Sequence, residues 1–332
     1  MFNITVIIPT HNRAGLLQNA IESVLRQTYP VHEIIVVDDG STDGTRTVVS
    51  KYENSRPGST MVVRYIFQEQ QGVAAARNTG IENSTGDWLA FLDSDDLWLP
   101  EKLSWQVRAL TEYAEDCAAC STDSRYLNNA HLTKTAFQQI GARCDGQIGV
   151  FPEFERRVTA GTFHGVYLQA LLVKSSLVRS LGGFHSALTV NEDTDFLFHL
   201  AQRTNICYVN IPLVEIDRTP RREIGLTELR TNEGYRLKMA QYMYEKWLRE
   251  YDGDDPKIRS NIRRRLHDIH VGWASVHLLE GHAQTALESL SKALGCSFSK
   301  KAAVKWLSIR LAPTFTKNVL LKRRETEAPP LL

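Results

Sequence analysis

The sequence predicts an α/β protein, a mostly parallel sheet flanked by helices, followed by a helical C-terminal region. Three observations predict it. Short apolar runs rich in β-branched residues alternate with segments of helical spacing through the first hundred residues, the pattern of strands buried on both faces by crossover helices. Several runs end in polar or acidic residues, which in a parallel sheet gather beyond the carboxyl ends of the strands, where ligands bind. From about residue 228 the strand-like runs stop and helical patterns take over.

Residues 4–8 form an apolar run closed by Pro9, after which Leu16, Leu17, Ala20, Ile21, Val24 and Leu25 repeat at helical spacing. A second run, 34–37, leads into Asp38-Asp39-Gly40-Ser41-Thr42-Asp43-Gly44, a turn rich in N-cap residues before a helix over 45–52. Residues 62–67 predict a third strand, 73–82 a helix, and 88–92 a fourth strand ending at Asp93. From 125 to 162 the chain is polar and weakly periodic, which predicts a long irregular excursion over the ligand-binding face. Residues 165–173 and 206–216 read as strands, the second broken by Pro212, and 192–203 as a helix. Helices follow over 236–251, 256–280 and 282–294, so the domains are expected at 1–225 and 226–332. Trp273, Leu279, Gly281, Ala286 and Ala293 resemble one tetratricopeptide-type hairpin. A solenoid needs about three such repeats, so a plain helical extension is expected.

With 332 residues, 42% of them hydrophobic, the chain buries a sizeable core and is no disordered tail. Its 39 basic residues balance 38 acidic ones, which gives no whole-protein attraction to nucleic acid. No stretch approaches the ~20 apolar residues of a membrane span, and MFNITVIIPTHNR lacks the marks of a signal peptide. A cytoplasmic protein with five reduced cysteines is expected. The charge balance hides an asymmetry: residues 300–324 hold eight basic residues and no acidic one, leaving 31 basic against 38 acidic residues elsewhere. There Val304, Leu307 and Leu311 form an apolar stripe beside Lys301, Lys305 and Arg310, with Trp306 at its margin. This stretch either lies on anionic lipid at the inner face of the membrane, packs onto the acidic body, or is solvated.

Two acidic turns carry the chemistry. Asp38 and Asp39 close the second strand ahead of a helix, placed either to accept from a ligand N–H or to form local turn hydrogen bonds. Asp93, Asp95 and Asp96 crowd the end of the fourth strand. Three carboxylates within four residues repel one another unless a cation sits among them, and hard oxygen ligands suit Mg²⁺ or Mn²⁺; a solvated acidic turn is the alternative. Arg77 and Asn78 fall on the intervening helix, with Arg77 either a phosphate or base contact or a surface residue.

VIIPTHNR (6–13), EIIVVDDGSTDGT (33–45), GVAAARNTG (72–80), GDWLAFLDSDD (86–96) and GGFHSALTVNEDTDF (182–196) stand in the order of the motifs of the family 2 glycosyltransferases of the GT-A fold. The chain resembles that family over about 215 residues. The resemblance implies an inverting, metal-dependent, non-processive enzyme that moves a hexose from a nucleoside-diphosphate sugar, UDP ahead of dTDP, to a hydroxyl of a glycan or lipid-linked acceptor in cell-surface glycan assembly. It implies that Pro9, Thr10, Asn12 and Arg13 line the nucleotide, and that Asp39, with Asp38 beside it, accepts from the base imide. Arg77 and Asn78 then seat the diphosphate. Asp93 and Ser94 face the donor, and Asp95, with Asp93 or Asp96, holds Mg²⁺ or Mn²⁺. Asp193, with Glu192 adjacent, matches the general base, and Arg221 and Arg222, with Arg218, fall where a mobile loop closes on the leaving group.

For Glu192 and Asp193 the alternative is an acidic first turn that complements the helix dipole. His199 stands where many members carry Arg or Lys, and no Q-x-x-R-W sequence occurs. A polyol-phosphate transferase on the same framework, or a catalytically idle nucleotide-sugar binder, fits the same motifs. Cys117 and Cys120 lack a second pair at zinc-ligand spacing, and His267 and His270 lack a third ligand nearby, so both pairs read as structural. The absence of G-x-x-x-x-G-K-[ST] and G-x-G-x-x-G sequences argues against P-loop and dinucleotide enzymes.

Overall fold

Four parallel strands built from the apolar runs make one half of a mixed sheet: β1 Ile4–Thr10, β2 Glu33–Asp39, β3 Val62–Gln68 and β4 Trp88–Phe91. β1 and β2 are buried along their whole length, which is why their sequences do not alternate. The crossovers are α1 Ala14–Leu25, α2 Thr45–Glu53 and α3 Val73–Asn83. Gly80 of α3 lies so close to β1 that a Cβ there would stand 2.4 Å from Cγ2 of Ile7, so the motif glycine sets the helix-to-sheet distance. The computed structural model describes residues 2–53, 61–128, 132–161, 165–219 and 232–326. It divides the chain into two compact units, Met1–Arg222 and Glu223–Leu332.

The rest of the first unit adds β5 Leu97–Trp98, α4 Lys102–Glu112, β6 Cys117–Leu127, α5 Ala136–Gln139, β7 Ile148–Val150, α6 Phe154–Thr159, β8 Leu171–Lys174, α7 Ser175–Ser180, α8 Glu192–Ala201 and β9 Asn205–Asp217. The strand order is β3-β2-β1-β4-β8-β6-β9-β5, with β7 paired to β9. β2 and β4 flank β1 on opposite sides, so the order reverses beside β1, and the carboxyl ends of β1, β2 and β4 open onto the crevice where open α/β sheets bind ligands.

Three expectations are corrected. The 125–162 stretch carries structure: β6 runs on to Leu127, and β7 and two short helices follow among its described residues. The 165–173 strand is only β8, preceded by a single 3-10 turn at Leu168–Ala170. Pro212 does not break β9. The pairing with β6 shifts register between Thr122 and Asp123, so Pro212, which has no N–H to donate, falls beside an irregular step of the ladder.

Described helices of the second unit are α9 Glu233–Glu250, α10 Pro256–Glu280, α11 Ala283–Cys296, α12 Lys300–Leu311 and α13 Pro313–Thr326. Asn232 caps α9 through Tyr235 N, and Asp255 caps α10 through Lys257 N, with Pro256 opening the helix. Ala274, Leu278, Ala286, Leu290, Ala302 and Ile309 form one hydrophobic cluster within it. No described helix is long and apolar enough to cross a membrane.

Candidate functional site

At the end of β1 the chain leaves the sheet through His11, Asn12 and Arg13. Asn12 takes a left-handed conformation, φ 51°, a region asparagine tolerates better than most residues. Its Oδ1 accepts from Thr42 N at 2.8 Å and its N–H donates to Ser41 Oγ at 2.8 Å, which stitches this loop to the turn after β2. His11 Nδ1 donates to the Asp39 carbonyl at 2.8 Å. Arg13 reaches the other way, its Nη1 2.8 Å from Oδ2 of Asp95, with both side chains partly exposed. Pro9 and Thr10 are buried at the strand end, and Thr10 Oγ1 has no hydrogen-bond partner.

Asp38 and Asp39 are both buried. Asp38 accepts from Ser41 N at 2.8 Å and from the Tyr65 hydroxyl at 2.7 Å; burial and this carboxylate together push the Tyr65 hydroxyl pKa up. Asp39 Oδ1 accepts from Gln68 Nε2 at 2.7 Å and Gln71 N at 2.8 Å, and Oδ2 from Gly72 N at 2.8 Å. Its carboxylate thus sits at the N-terminus of α3, where anions are favoured. A carboxylate offers about four acceptor positions. The three bonds fill both on Oδ1 and leave one on Oδ2.

The second acidic turn divides into exposed and sealed carboxylates. Asp93 Oδ2 and Asp96 Oδ2 accept from the same Gln169 amide nitrogen, at 2.6 and 2.7 Å. Asp96 is 3% exposed and its other oxygen accepts from Asp217 N at 2.9 Å. Desolvation, then the charges of Asp93 and Asp95, hold its pKa well above the usual carboxylate range. Asp96, which the sequence placed among the candidate metal ligands, is thus a buried link between this turn and β9. Ser94 is also buried, at 2% exposure. Asp93 and Asp95 keep side-chain exposures of 27% and 21%. Their crowded charges and all-oxygen chemistry fit a hard divalent cation.

Arg77 and Asn78 also take different positions from those expected. Arg77 is 4% exposed. Its Nη1 lies 2.8 Å from Glu192 Oε1, its Nη2 2.9 Å from Asp93 Oδ1, and its guanidinium 5.4 Å from the Phe184 ring centroid. Rather than opening to a diphosphate, it bridges the acidic turn to the start of α8. Asn78 exchanges two hydrogen bonds with the backbone of Phe184, both 2.8 Å, which occupies its amide and fixes the 182–184 turn. Gly183 is required there: its φ is +71°, and a Cβ would stand 2.4 Å from Asn78 Oδ1.

Glu192 is 3% exposed, with Oε2 unpartnered. Desolvation first, and the charge of Asp193 second, raise its pKa against the opposing pull of Arg77. Asp193 is half-buried, and its Oδ1 accepts from Thr194 N at 2.7 Å. The acidic turn after β4 and Glu192, about a hundred residues apart in sequence, are thereby joined through one guanidinium. His199 Nε2 stands 3.6 Å from Asp195 Oδ1. Arg218 lies over the rings of Tyr126 and Tyr167, at 5.8 and 5.6 Å. Arg221 and Arg222 lie outside the described residues.

Sequence reasoning missed Gln169, Gln68 and Tyr65, which hold the carboxylates in place. Gln169 stands alone among apolar residues, Gln68 opens a polar run and Tyr65 sits within a strand, so none of the three gives a periodic signal. Only the Gly72 N–H carried a hint, as the amide of the residue before a helix.

The profile of the family described as Glycosyl transferase family 2 matches residues 5–172 of the chain. TuaG of Bacillus subtilis, which carries the name of a teichuronic acid biosynthesis glycosyltransferase, is 40% identical over 109 residues, 33% of this chain and 42% of that one. GlyA, a glycosyltransferase of Streptococcus pneumoniae serotype 4, is 36% identical over 115 residues, 35% of this chain and 16% of that one. The chain spans less than two thirds of the length of these curated relatives. S. aureus TarS 1–349 in complex with UDP-GlcNAc superposes with a TM-score of 0.70 at 15% identity, over 98% of this chain and 92% of that one. The mannosyltransferase PcManGT of Pyrobaculum calidifontis, in complex with GDP-Man and Mn²⁺, gives 0.56 at 22% identity, over 96% and 85%. At these identities the two structures speak for the fold, which is of the GT-A type. With the profile spanning half of the residues, and four of the five sequence motifs falling inside or overlapping that span, the chain belongs to glycosyl transferase family 2.

Proposed function

We propose that this protein is an inverting, metal-dependent glycosyltransferase that moves a sugar from a nucleoside-diphosphate sugar to a hydroxyl acceptor, with catalysis in residues 1–225. One observation carries the reading: Arg77 ties Asp93 to Glu192, which supports a site shared by the acidic turn after β4 and Asp193, the residue next to Glu192. Asp193 acts as the general base. As the acceptor oxygen bonds to the anomeric carbon, Asp193 takes the hydroxyl proton while the bond from that carbon to the phosphate oxygen breaks. The bonding pair leaves on the nucleoside diphosphate, and attack opposite the leaving group inverts the centre. A positioned carboxylate contributes ~10²- to 10⁴-fold.

The remaining Oδ2 position of Asp39 accepts from the base imide, with Asp38 bracing the turn from behind. Pro9, Thr10, Asn12 and Arg13 line the nucleotide. Asp95 and Asp93 would hold Mg²⁺ or Mn²⁺, which when bound neutralises charge on the departing diphosphate; the Mn²⁺ in the PcManGT complex supports a divalent ion. The TarS complexes with UDP-GlcNAc and UDP support a uridine donor. The TuaG likeness, through its name in teichuronic acid biosynthesis, supports a cell-surface glycan as acceptor.

Turnover of a panel of UDP- and dTDP-sugars by the full chain, with Mn²⁺ and glycan or lipid-linked acceptors, tests this. Asp193→Asn is expected to lower kcat ~10²- to 10⁴-fold while the thermal shift produced by donor is kept. Equal turnover by both proteins overturns the role of Asp193. Transfer of a polyol phosphate, or donor binding without any turnover, overturns the reaction.

A further inference from the structure

Seven of the ten large apolar side chains exposed among the described residues lie between Phe298 and Leu321. On α12, Val304, Leu307 and Leu311 are spaced i, i+3, i+7, one stripe of a helix, and are 65%, 51% and 74% exposed. The opposite face of the same helix holds Ala302 and Ile309, at 2% and 1%, in the core of the second unit. α12 is therefore apolar on two faces, of which its own bundle covers one. Trp306 belongs to the covered side, donating to Ser291 Oγ at 3.2 Å, which corrects its expected place at the margin of the free stripe. On α13 Phe315 is also 70% exposed.

The charge around this surface identifies what covers it. Residues 300–324 carry eight cations and no anion, and Lys300, Lys301 and Arg310 are exposed on α12 itself. Lys305 is spent inside the bundle, donating to Ser275 Oγ at 2.6 Å. Neither a second copy of so basic a face nor a neutral apolar partner complements this charge. Anionic headgroups over acyl chains complement both the cations and the stripe.

We propose that α12, continued by α13, docks the protein on an anionic lipid surface, with Val304, Leu307 and Leu311 entering the headgroup–acyl boundary and Lys300, Lys301 and Arg310 pairing with lipid phosphates. This is independent of the proposed reaction, because it rests on residues of the second unit alone. The consequence is that a lipid-linked hydroxyl substrate is met at a surface instead of in bulk solution.

The test is co-sedimentation of the full chain with phosphatidylcholine vesicles prepared with and without phosphatidylglycerol, at low and high salt. Binding is expected only to the anionic vesicles, weakening with salt. Lys300→Glu/Lys301→Glu and, separately, Leu307→Asp/Leu311→Asp are each expected to weaken it about tenfold or more. Both pairs lie on exposed surface, so melting temperature should be kept, and a variant pair that melts early is replaced by Leu307→Ser/Leu311→Ser. No binding, equal binding to neutral vesicles, or binding unchanged by every variant overturns the proposal. So does concentration-dependent dimerisation by light scattering that Leu307→Asp/Leu311→Asp abolishes, since the stripe would then be an interface between copies.

Discussion

Arg77 and Glu192, 115 residues apart in the chain, meet in a buried ion pair of 2.8 Å. The same guanidinium holds Asp93 at 2.9 Å. Removing one partner of such a buried network leaves uncompensated charge, which costs about 3–5 kcal/mol. Arg77→Met is therefore expected to lower unfolding free energy by about that amount in denaturant titrations. Arg77→Lys should recover only part of it, because an ammonium cannot serve two carboxylates with a planar fork.

Gly183 and Asn78 form the second fastening of the same region. An alanine at 183 must adopt φ near +71° and press on Asn78 Oδ1, a strain of about 1–3 kcal/mol. We expect Gly183→Ala to be destabilised by that amount, and Asn78→Ala, which strands the Phe184 N–H and C=O, by about 1–3 kcal/mol. Thermal melts of both variants check this.

Lys102 gives a pH signature. It is fully buried over the Trp98 ring, with Nζ donating to Gln106 Oε1 at 2.7 Å, and desolvation lowers its pKa to about 7. Between that value and the unfolded lysine value of ~10.4, the unfolded chain binds a proton that the folded chain does not. Stability therefore rises with pH across this window, by up to ~1.4 kcal/mol per pH unit. Lys102→Met should be more stable than the parent at pH 6, with the difference shrinking towards pH 10 in parallel urea titrations.

Metal removal tests the carboxylate pair of the acidic turn. The proposed function predicts that chelation lowers turnover ~10²-fold or more, as expected for loss of several kcal/mol of charge stabilisation, with recovery on adding Mn²⁺. Asp95→Asn should abolish the metal-dependent part of the thermal shift given by UDP. Arg13→Ala, which breaks only a partly exposed ion pair, should cost less than about 1 kcal/mol in stability.

How much was legible follows from burial. β1, β2 and β4 were readable because strands covered on both faces must be apolar throughout, and their polar ends pointed to the crevice. β6 was not, because Ser121, Thr122, Asp123 and Ser124 are buried at its centre and interrupt the apolar run by which a strand covered on both faces is recognised. Asp123 Oδ1 accepts from its neighbour Ser124 N and from Phe137 N, and the second partner, fourteen residues along the chain, is supplied only by the fold. Arg77 read as a ligand contact or a surface residue, and the resemblance gave it to the diphosphate; its pairing with Asp93 and Glu192 joins positions 16 and 115 residues away in the chain.

The order of strands and helices from β1 to β4, the two acidic turns and the family resemblance came from the chain alone, since local burial patterns and motif spacing are written along it. The tertiary structure decided which carboxylates are exposed and which are sealed, that Arg77 braces the site from within, and that one apolar stripe of α12 is left uncovered. Those outcomes depend on which distant groups come to share a low-dielectric interior, and on what remains outside once it is filled.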